Sequence, residues 1–256
     1  MKFIKIVTLS TFILSICACD NVKTNKSKTD DTTTMEVKEE NSSLQAALDE
    51  RKNNFNKKAD ETTKKIYKEG FEDVENSGVL ESAKKVGDLA PNFSLKNAIG
   101  ETVDLKSYLD KGPVVLTWYR GGWCPYCNLT LHSLQEELPN FKAQGANLIA
   151  LSPELPDESI STSEKHKLEF EVLSDVGNVV GKQYGVVFKL TDDVANIYNQ
   201  KFDLNGHNGD TSNELPIAAT YVINTDGKIV YSFVDFDYRK RAEPSVITKF
   251  LEEMNK

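Results

Sequence analysis

Reactive sulfur and imidazole are scarce in this chain, with four cysteines and three histidines among 256 residues. Cys17 and Cys19 lie near the N-terminus, and His132, His166 and His207 form no HxxxH or CxxH set. The roughly four ligands of a zinc site are therefore not assembled. Positive charge is also in deficit: 31 Lys and Arg against 39 Asp and Glu give a net charge of -8. Binding nucleic acid needs a basic footprint, so that class of partner is excluded. The leading apolar run, Ile6 to Ile16, is too short for the roughly 20 residues of a membrane span. No internal repeat is found, no glycine precedes Gly70 and no proline precedes Pro91. Length and a 39% hydrophobic share suit one ordinary globular domain with extra segments and leave no room for two large ones.

What is present begins with Lys2 and Lys5 ahead of that apolar run, a pattern that predicts a secretory signal over residues 1–18. Ile16-Cys17-Ala18-Cys19, followed by polar Asp20, resembles a bacterial lipobox. The resemblance implies lipidation at Cys19 and a membrane-anchored lipoprotein of the bacterial cell envelope, on its periplasmic or exterior face, tethered without spanning. Leu14-Ser15-Ile16-Cys17 matches less well, because a bulky residue precedes that cysteine. Residues 19–41 hold almost nothing to bury and are predicted to be a disordered tether. In residues 42–83, Leu44, Leu48, Phe55, Ile66 and Tyr67 recur at partly helical spacing. This predicts a helical extension, read as a charged stalk because no reactive group sits in it.

Trp123-Cys124-Pro125-Tyr126-Cys127 carries the most chemistry. It follows the apolar run Val114 to Tyr119 and precedes a helix-like stretch ending at Phe141. Residues three apart on a helix share a face, with Cβ atoms about 5–6 Å apart, and this suits disulfide geometry. Free amides and partial positive charge at a helix start favour thiolate over thiol. The spacing therefore predicts a redox switch. A purely structural bridge is disfavoured, since so short a loop removes little unfolded-state entropy. In an exported, oxidising setting the bridge stays closed unless a reductant is delivered.

Residues 84–256 are predicted to form the redox domain. A hairpin is expected around Asn97–Gly100, then strand 114–119, helix 125–141, strand 147–152, helix 157–168, a short strand at Val172-Leu173 and a helix over 178–184. A second hairpin joins Thr220–Ile223 to Ile229–Val234, and a last helix spans Pro244–Met254. Phe188–Leu215 has no clear period and is expected to be an inserted surface loop. Alternating strands and helices imply an α/β class with a central mixed sheet flanked by helices.

That order, with a CxxC after the first buried strand, resembles the thioredoxin superfamily. More narrowly, the chain resembles the peroxiredoxin-like branch of the alkyl hydroperoxide reductase and thiol-specific antioxidant family. Val86-Gly87-Asp88-Leu89-Ala90-Pro91, Tyr119-Arg120-Gly121-Gly122-Trp123-Cys124-Pro125-Tyr126-Cys127-Asn128, Leu173-Ser174-Asp175 and Asp237-Tyr238-Arg239-Lys240-Arg241 carry much of the likeness. The family's usual Pro-x-x-x-Thr-x-x-Cys pattern is absent: its two leading places hold Arg120 and Cys124 if Cys127 is the reacting cysteine, or Thr117 and Gly121 if Cys124 is. The place of a distant polarising Arg, or of a thioredoxin-type cis-Pro, holds Ala218; Pro216 is the nearby candidate for an equivalent turn.

The resemblance implies a thioredoxin-like fold and a thiol-dependent peroxidase, needing no cofactor. A hydroperoxide would be the substrate and a thioredoxin-like protein the reductant. Cys124 and Cys127 would be the redox pair, Arg120 would stabilise thiolate and oxyanion, and Trp123 and Tyr126 would shape an apolar mouth. Helix-start geometry favours Cys124 as the first attacker and makes it the more exposed thiol, whereas alignment to peroxiredoxins favours Cys127. The alternative is a lipid-anchored thiol-disulfide reductase or exchange protein of the envelope; an inert bridge in a binding module is a third reading. Glu136 and Glu137 are read as a solvated face rather than proton relays.

Overall fold

The computed structural model describes residues 43–97 and 99–256. The signal segment, Cys17, Cys19 and the tether lie outside the described residues. The strands are β1 (Ser94–Asn97), β2 (Thr102–Asp104), β3 (Val114–Trp118), β4 (Asn147–Ser152), β5 (Glu171–Ser174), β6 (Val187–Lys189), β7 (Glu214–Pro216), β8 (Ala218–Ile223) and β9 (Ile229–Asp235). Seven of them form a mixed sheet in the order β2-β1-β5-β4-β3-β8-β9, while β6 and β7 pair with each other. β3, β4 and β5 run parallel, and the flanking pairs are antiparallel.

Every residue of β3 is buried, because both faces of the sheet are covered. Its side chains alternate between them. Val115 meets Leu134, Leu138 and Phe141 of α5 (Pro125–Ala143) and Ile247 and Leu251 of α10 (Pro244–Met254). Val114, Leu116 and Trp118 enter the opposite core, where Trp118 lies 4.8 Å from Tyr184 and 5.9 Å from Tyr221, ring centre to ring centre. Each such side chain contributes about 1.5–3 kcal/mol by leaving water. Between β3 and β4, α5 makes the crossover a parallel pair requires; α4 (Leu105–Leu109) precedes β3, α6 (Pro156–His166) joins β4 to β5, and α7 (Val179–Gln183) follows β5.

The segment before the sheet holds three helices, α1 (Leu44–Lys58), α2 (Glu61–Glu75) and the short α3 (Val79–Ser82), and they are not a free stalk. Ser43 caps α1 by accepting from Ala46 N–H, and Glu243 accepts from Leu44 and Gln45 N–H at 3.0 and 3.2 Å. The first turn of α1 is thus tied to the residue that precedes α10. Leu44 and Leu48 are buried in one cluster with Cys124, Cys127 and Leu131. α2 packs Ile66, Tyr67 and Val74 on the main core. The stalk reading failed because the apolar positions are few and widely spaced, so nothing in the pattern names the surface they cover.

Phe188–Leu215 is likewise not a loop. It holds α8 (Asp192–Phe202), α9 (Leu204–Asn208) and strands β6 and β7, with Val194, Ala195, Tyr198, Leu204 and Leu215 buried. Thr191 caps α8, and Asp203 in a left-handed conformation breaks it from α9. Helical period is obscured because α8 buries small and aromatic residues among polar ones. Pro216 sits in β7 opposite Val187, and Ala218 is buried at the start of β8. No helix among the described residues is long and apolar enough to cross a membrane.

Candidate active site

The site lies where β3 ends and α5 begins, at the carboxyl edge of the sheet. Gly121 and Gly122 shape the turn between them. Gly121 has φ of +151°, and a Cβ there would stand 2.2 Å from Trp123 Nε1; one on Gly122 would stand 2.1 Å from Thr162 Oγ1. Only glycine fits either place. The turn is clamped from both sides: Gly122 N–H donates to Glu154 Oε1 at 2.9 Å, and Asn128 Nδ2 donates to Gly122 O at 2.9 Å. Glu154 is fully buried, with its Oε1 3.2 Å from His207 Nδ1.

Cys124 is the N-cap of α5, Pro125 opens the helix and Cys127 lies in its first turn. Both cysteines are free thiols and both are fully buried. Cys124 is therefore not the more exposed of the two, contrary to the expectation from helix position. Trp123, packed on Tyr198 and Phe202 with ring centres 5.3 and 5.4 Å away, and the Leu44–Leu48 face of α1 close over the pair.

Arg120 is the centre of the electrostatics. Its guanidinium is buried, 3.5 Å from the Tyr238 ring centre and 5.4 Å from those of Trp123 and Tyr198. Nη1 donates to Tyr198 OH at 3.1 Å, and Nη2 reaches Cys124 Sγ at 3.3 Å. Among the described residues no carboxylate pairs with it. An uncompensated buried cation costs several kcal/mol, roughly, so this site calls for an anion, and the Cys124 sulfur stands where that anion belongs.

Arg241 supplies a second guanidinium, held by the carbonyls of Tyr238 and Lys240, with Nη2 3.6 Å from Cys127 Sγ. The Arg120 N–H also points at Cys127 Sγ, 3.4 Å away. The two thiols are consequently driven apart in acidity. Burial opposes charge on Cys124, but the Cys127 thiol donating to it and the charges of Arg120 and Arg241 bring its pKa well below the usual thiol range. Burial and the adjacent Cys124 anion push Cys127 well above it. The site therefore favours a thiolate on Cys124 and a thiol on Cys127.

A cavity of about 320 Å³ lies beside the pair, and Arg120, Trp123 and Tyr126 all line it. Arg120 touches the sulfur with one end and the cavity with its flank. Sequence reasoning placed Arg120, Trp123, Tyr126 and both cysteines together; it assigned no role to Arg241, Tyr198, Tyr238 or Glu154. Arg241 and Tyr238 lay in a stretch that carried family likeness, whereas Tyr198 lay in the supposed loop. Glu136 pairs with exposed His132 on the solvated face of α5, whereas half-buried Glu137 departs from that expectation, accepting from Asn140 and from Thr248 of α10; neither is bonded to a cysteine. Glu154, Glu158 and His207 are the one group among the described residues close enough to share a cation, and neither cysteine belongs to it.

The AhpC/TSA family description matches residues 86–232, more than half of the chain. The chain belongs to the AhpC/TSA family. It is 30% identical over 150 residues to chloroplastic peroxiredoxin Q of Triticum aestivum, covering 53% of this chain and 69% of that one. It is 25% identical over 162 residues to the thiol-disulfide oxidoreductase ResA of Bacillus thuringiensis, covering 63% and 76%. Among solved structures, peroxidoxin BcpB from Mycobacterium tuberculosis superposes with a TM-score of 0.53 at 21% identity, over 66% of this chain and 97% of that one. The fold is thus that of this peroxidoxin, a thioredoxin-like mixed sheet flanked by helices. Within the AhpC/TSA match lie Arg120, both cysteines and Tyr198; α1, α2, Tyr238 and Arg241 lie outside it.

Proposed function

We propose that this protein is a thiol peroxidase in which Cys124 attacks and Cys127 resolves. The observation that carries the reading is the Cys124 sulfur, 3.3 Å from a buried guanidinium that has no carboxylate partner. The Cys124 thiolate attacks the terminal oxygen of a hydroperoxide; the S–O bond forms, the O–O bond breaks and alkoxide leaves toward Arg120. The Cys127 thiol, which holds its proton, gives it to the alkoxide. The resulting Cys127 thiolate attacks the Cys124 sulfenic acid, closing the disulfide as hydroxide leaves and is protonated to water. Two electrons pass to the peroxide, and a thioredoxin-like dithiol returns them. Arg120 keeps its own proton, since burial is outweighed by the Cys124 anion and neighbouring phenols in holding its pKa well above the usual value. Its part is electrostatic.

Purified reduced protein should consume hydrogen peroxide far faster than free cysteine, and Cys124→Ser should abolish this. A rate no greater than that of free thiol removes the reading. The ResA likeness supports a second one, disulfide exchange, in which Cys127→Ser accumulates mixed disulfides with protein substrates. Burial of Cys124 weighs against it, because a protein disulfide must bring its sulfur onto the Cys124 sulfur, whereas a small peroxide needs only to enter the cavity beside Arg120, which touches that sulfur. The proposal extends to export and a lipid anchor at Cys19 in the cell envelope, a reading supported by Lys2, Lys5, the Ile6–Ile16 run and the lipobox-like stretch.

A further inference from the structure

The cavity beside Cys124 has two peculiarities. The first is its charge. In a chain of net charge -8, its lining includes Arg51, Lys58, Arg120, Lys201 and Arg239 and not one Asp or Glu. Arg120 is occupied by Cys124, and Arg239 is held bidentately by Asp237 at 2.7 Å. Arg51, Lys58 and Lys201 have no carboxylate partner among the described residues and stand exposed at the rim.

The second peculiarity is its wall. Phe55, Tyr67, Phe71, Trp123, Tyr126 and Phe202 line it, with Phe55 set edge-on to Tyr67 at 5.4 Å. Arg51, Phe55, Lys58, Tyr67 and Phe71 come from α1 and α2, outside the segment that matches the family. The cleft is therefore built in good part by the added helices. At about 320 Å³ it sits at the lower end of the roughly 300–1,000 Å³ of small-molecule sites.

We propose that this cleft selects organic hydroperoxides that carry a carboxylate. The apolar body lies on the aromatic wall, the carboxylate rests among Arg51, Lys58 and Lys201 at the rim, and the peroxide group points inward to Arg120 and Cys124. Because Arg120 lines the cleft and touches the sulfur, one ligand meets the rim cations with one end and the reacting centre with the other. The inference rests on the peroxidase reading and names its substrate class.

The test compares para-carboxycumene hydroperoxide with its methyl ester, which differ by one negative charge and one methyl group. For the wild-type protein at low salt, kcat/KM should favour the acid about tenfold, the scale of a few exposed ion pairs acting together. The preference should shrink in high salt. In Arg51→Gln/Lys58→Gln/Lys201→Gln the ratio of acid to ester should fall to about one. The ratio is taken within each protein, so a loss of folded fraction does not imitate the result. Equal rates for acid and ester in the wild type, or a preference that survives in the triple variant, overturn the proposal. If neither hydroperoxide reacts, the peroxidase reading has failed, and binding of para-isopropylbenzoate against its methyl ester, measured by calorimetry, still decides the cleft. Tighter binding of the acid, lost in the triple variant, upholds carboxylate selection; equal binding ends it.

Discussion

The two sides of the Cys124 pocket differ in origin and in task. On one side, the β3–α5 junction carries Arg120, Cys124 and Cys127 within the part of the chain shared with the AhpC/TSA family. On the other, α1, α2 and the stretch Tyr238–Arg241 lie beyond the match and supply the α1 part of the cover over the thiols, a second guanidinium and three of the cleft's five cations. The first side can make a thiolate and consume it. The second decides how buried that thiolate is and what reaches it. A short redox motif therefore describes the reaction without describing the enzyme.

Disabling the shared side should have the largest effect. Cys124→Ser should leave no peroxide turnover above background, while Cys127→Ser should complete one attack and stop at sulfenic acid, visible as a single equivalent of peroxide consumed and a dimedone adduct on Cys124. Two cysteines of equal consequence in single-turnover measurements would erase the assignment. Arg120→Gln removes the oxyanion partner and should cost about 10²–10³ in kcat/KM, the scale of losing one such donor. It should also raise the pH at which Cys124 alkylates, which a purely structural loss would not do.

The added side is probed by packing. Leu48 is fully buried beside the cysteines, so Leu48→Ala should destabilise by about 2–5 kcal/mol and speed alkylation of Cys124 by loosening the cover. Destabilisation without faster alkylation would mean that α1 supports the fold and does not gate the thiols. The smallest effect should come from His207, whose pKa is raised first by its bond to Glu154 and also by Glu158, against partial burial. A raised folded pKa gives stability that is complete below the unfolded value of about 6.5 and is lost as pH rises through the folded one. His207→Gln should flatten that slope in thermal melts taken from about pH 6.5 upward through neutral to mildly alkaline pH; an unchanged slope would remove His207 from the clamp on Gly122.

Much of the shared side was legible in the sequence, for a local reason. Val114–Trp118 reads as a buried strand and Pro125 as a helix start, so their junction and the thiols on it follow from period and capping. Arg120 falls on the same short turn. The added side was not legible, because its meaning lies in contacts made across nearly the whole chain: Glu243 capping Leu44, Arg241 reaching Cys127, Phe71 stacked at 5.4 Å on Tyr238. Composition and spacing carry no record of such partners. For the same reason helix position alone suggested an exposed Cys124, while Tyr198, Phe202 and α1, which hold Trp123 over it and complete its cover, come from elsewhere.

The most direct measurement is the ultraviolet thiolate absorbance of the reduced protein against pH, with Cys124→Ser and Cys127→Ser beside it. One thiol should already be ionised well below the ordinary value of about 8.5 and the other should stay protonated well above it, with the low step missing only from Cys124→Ser. Two thiols titrating together near the ordinary value, or a low step that survives in Cys124→Ser, would contradict a Cys124 thiolate held by Arg120 and Arg241.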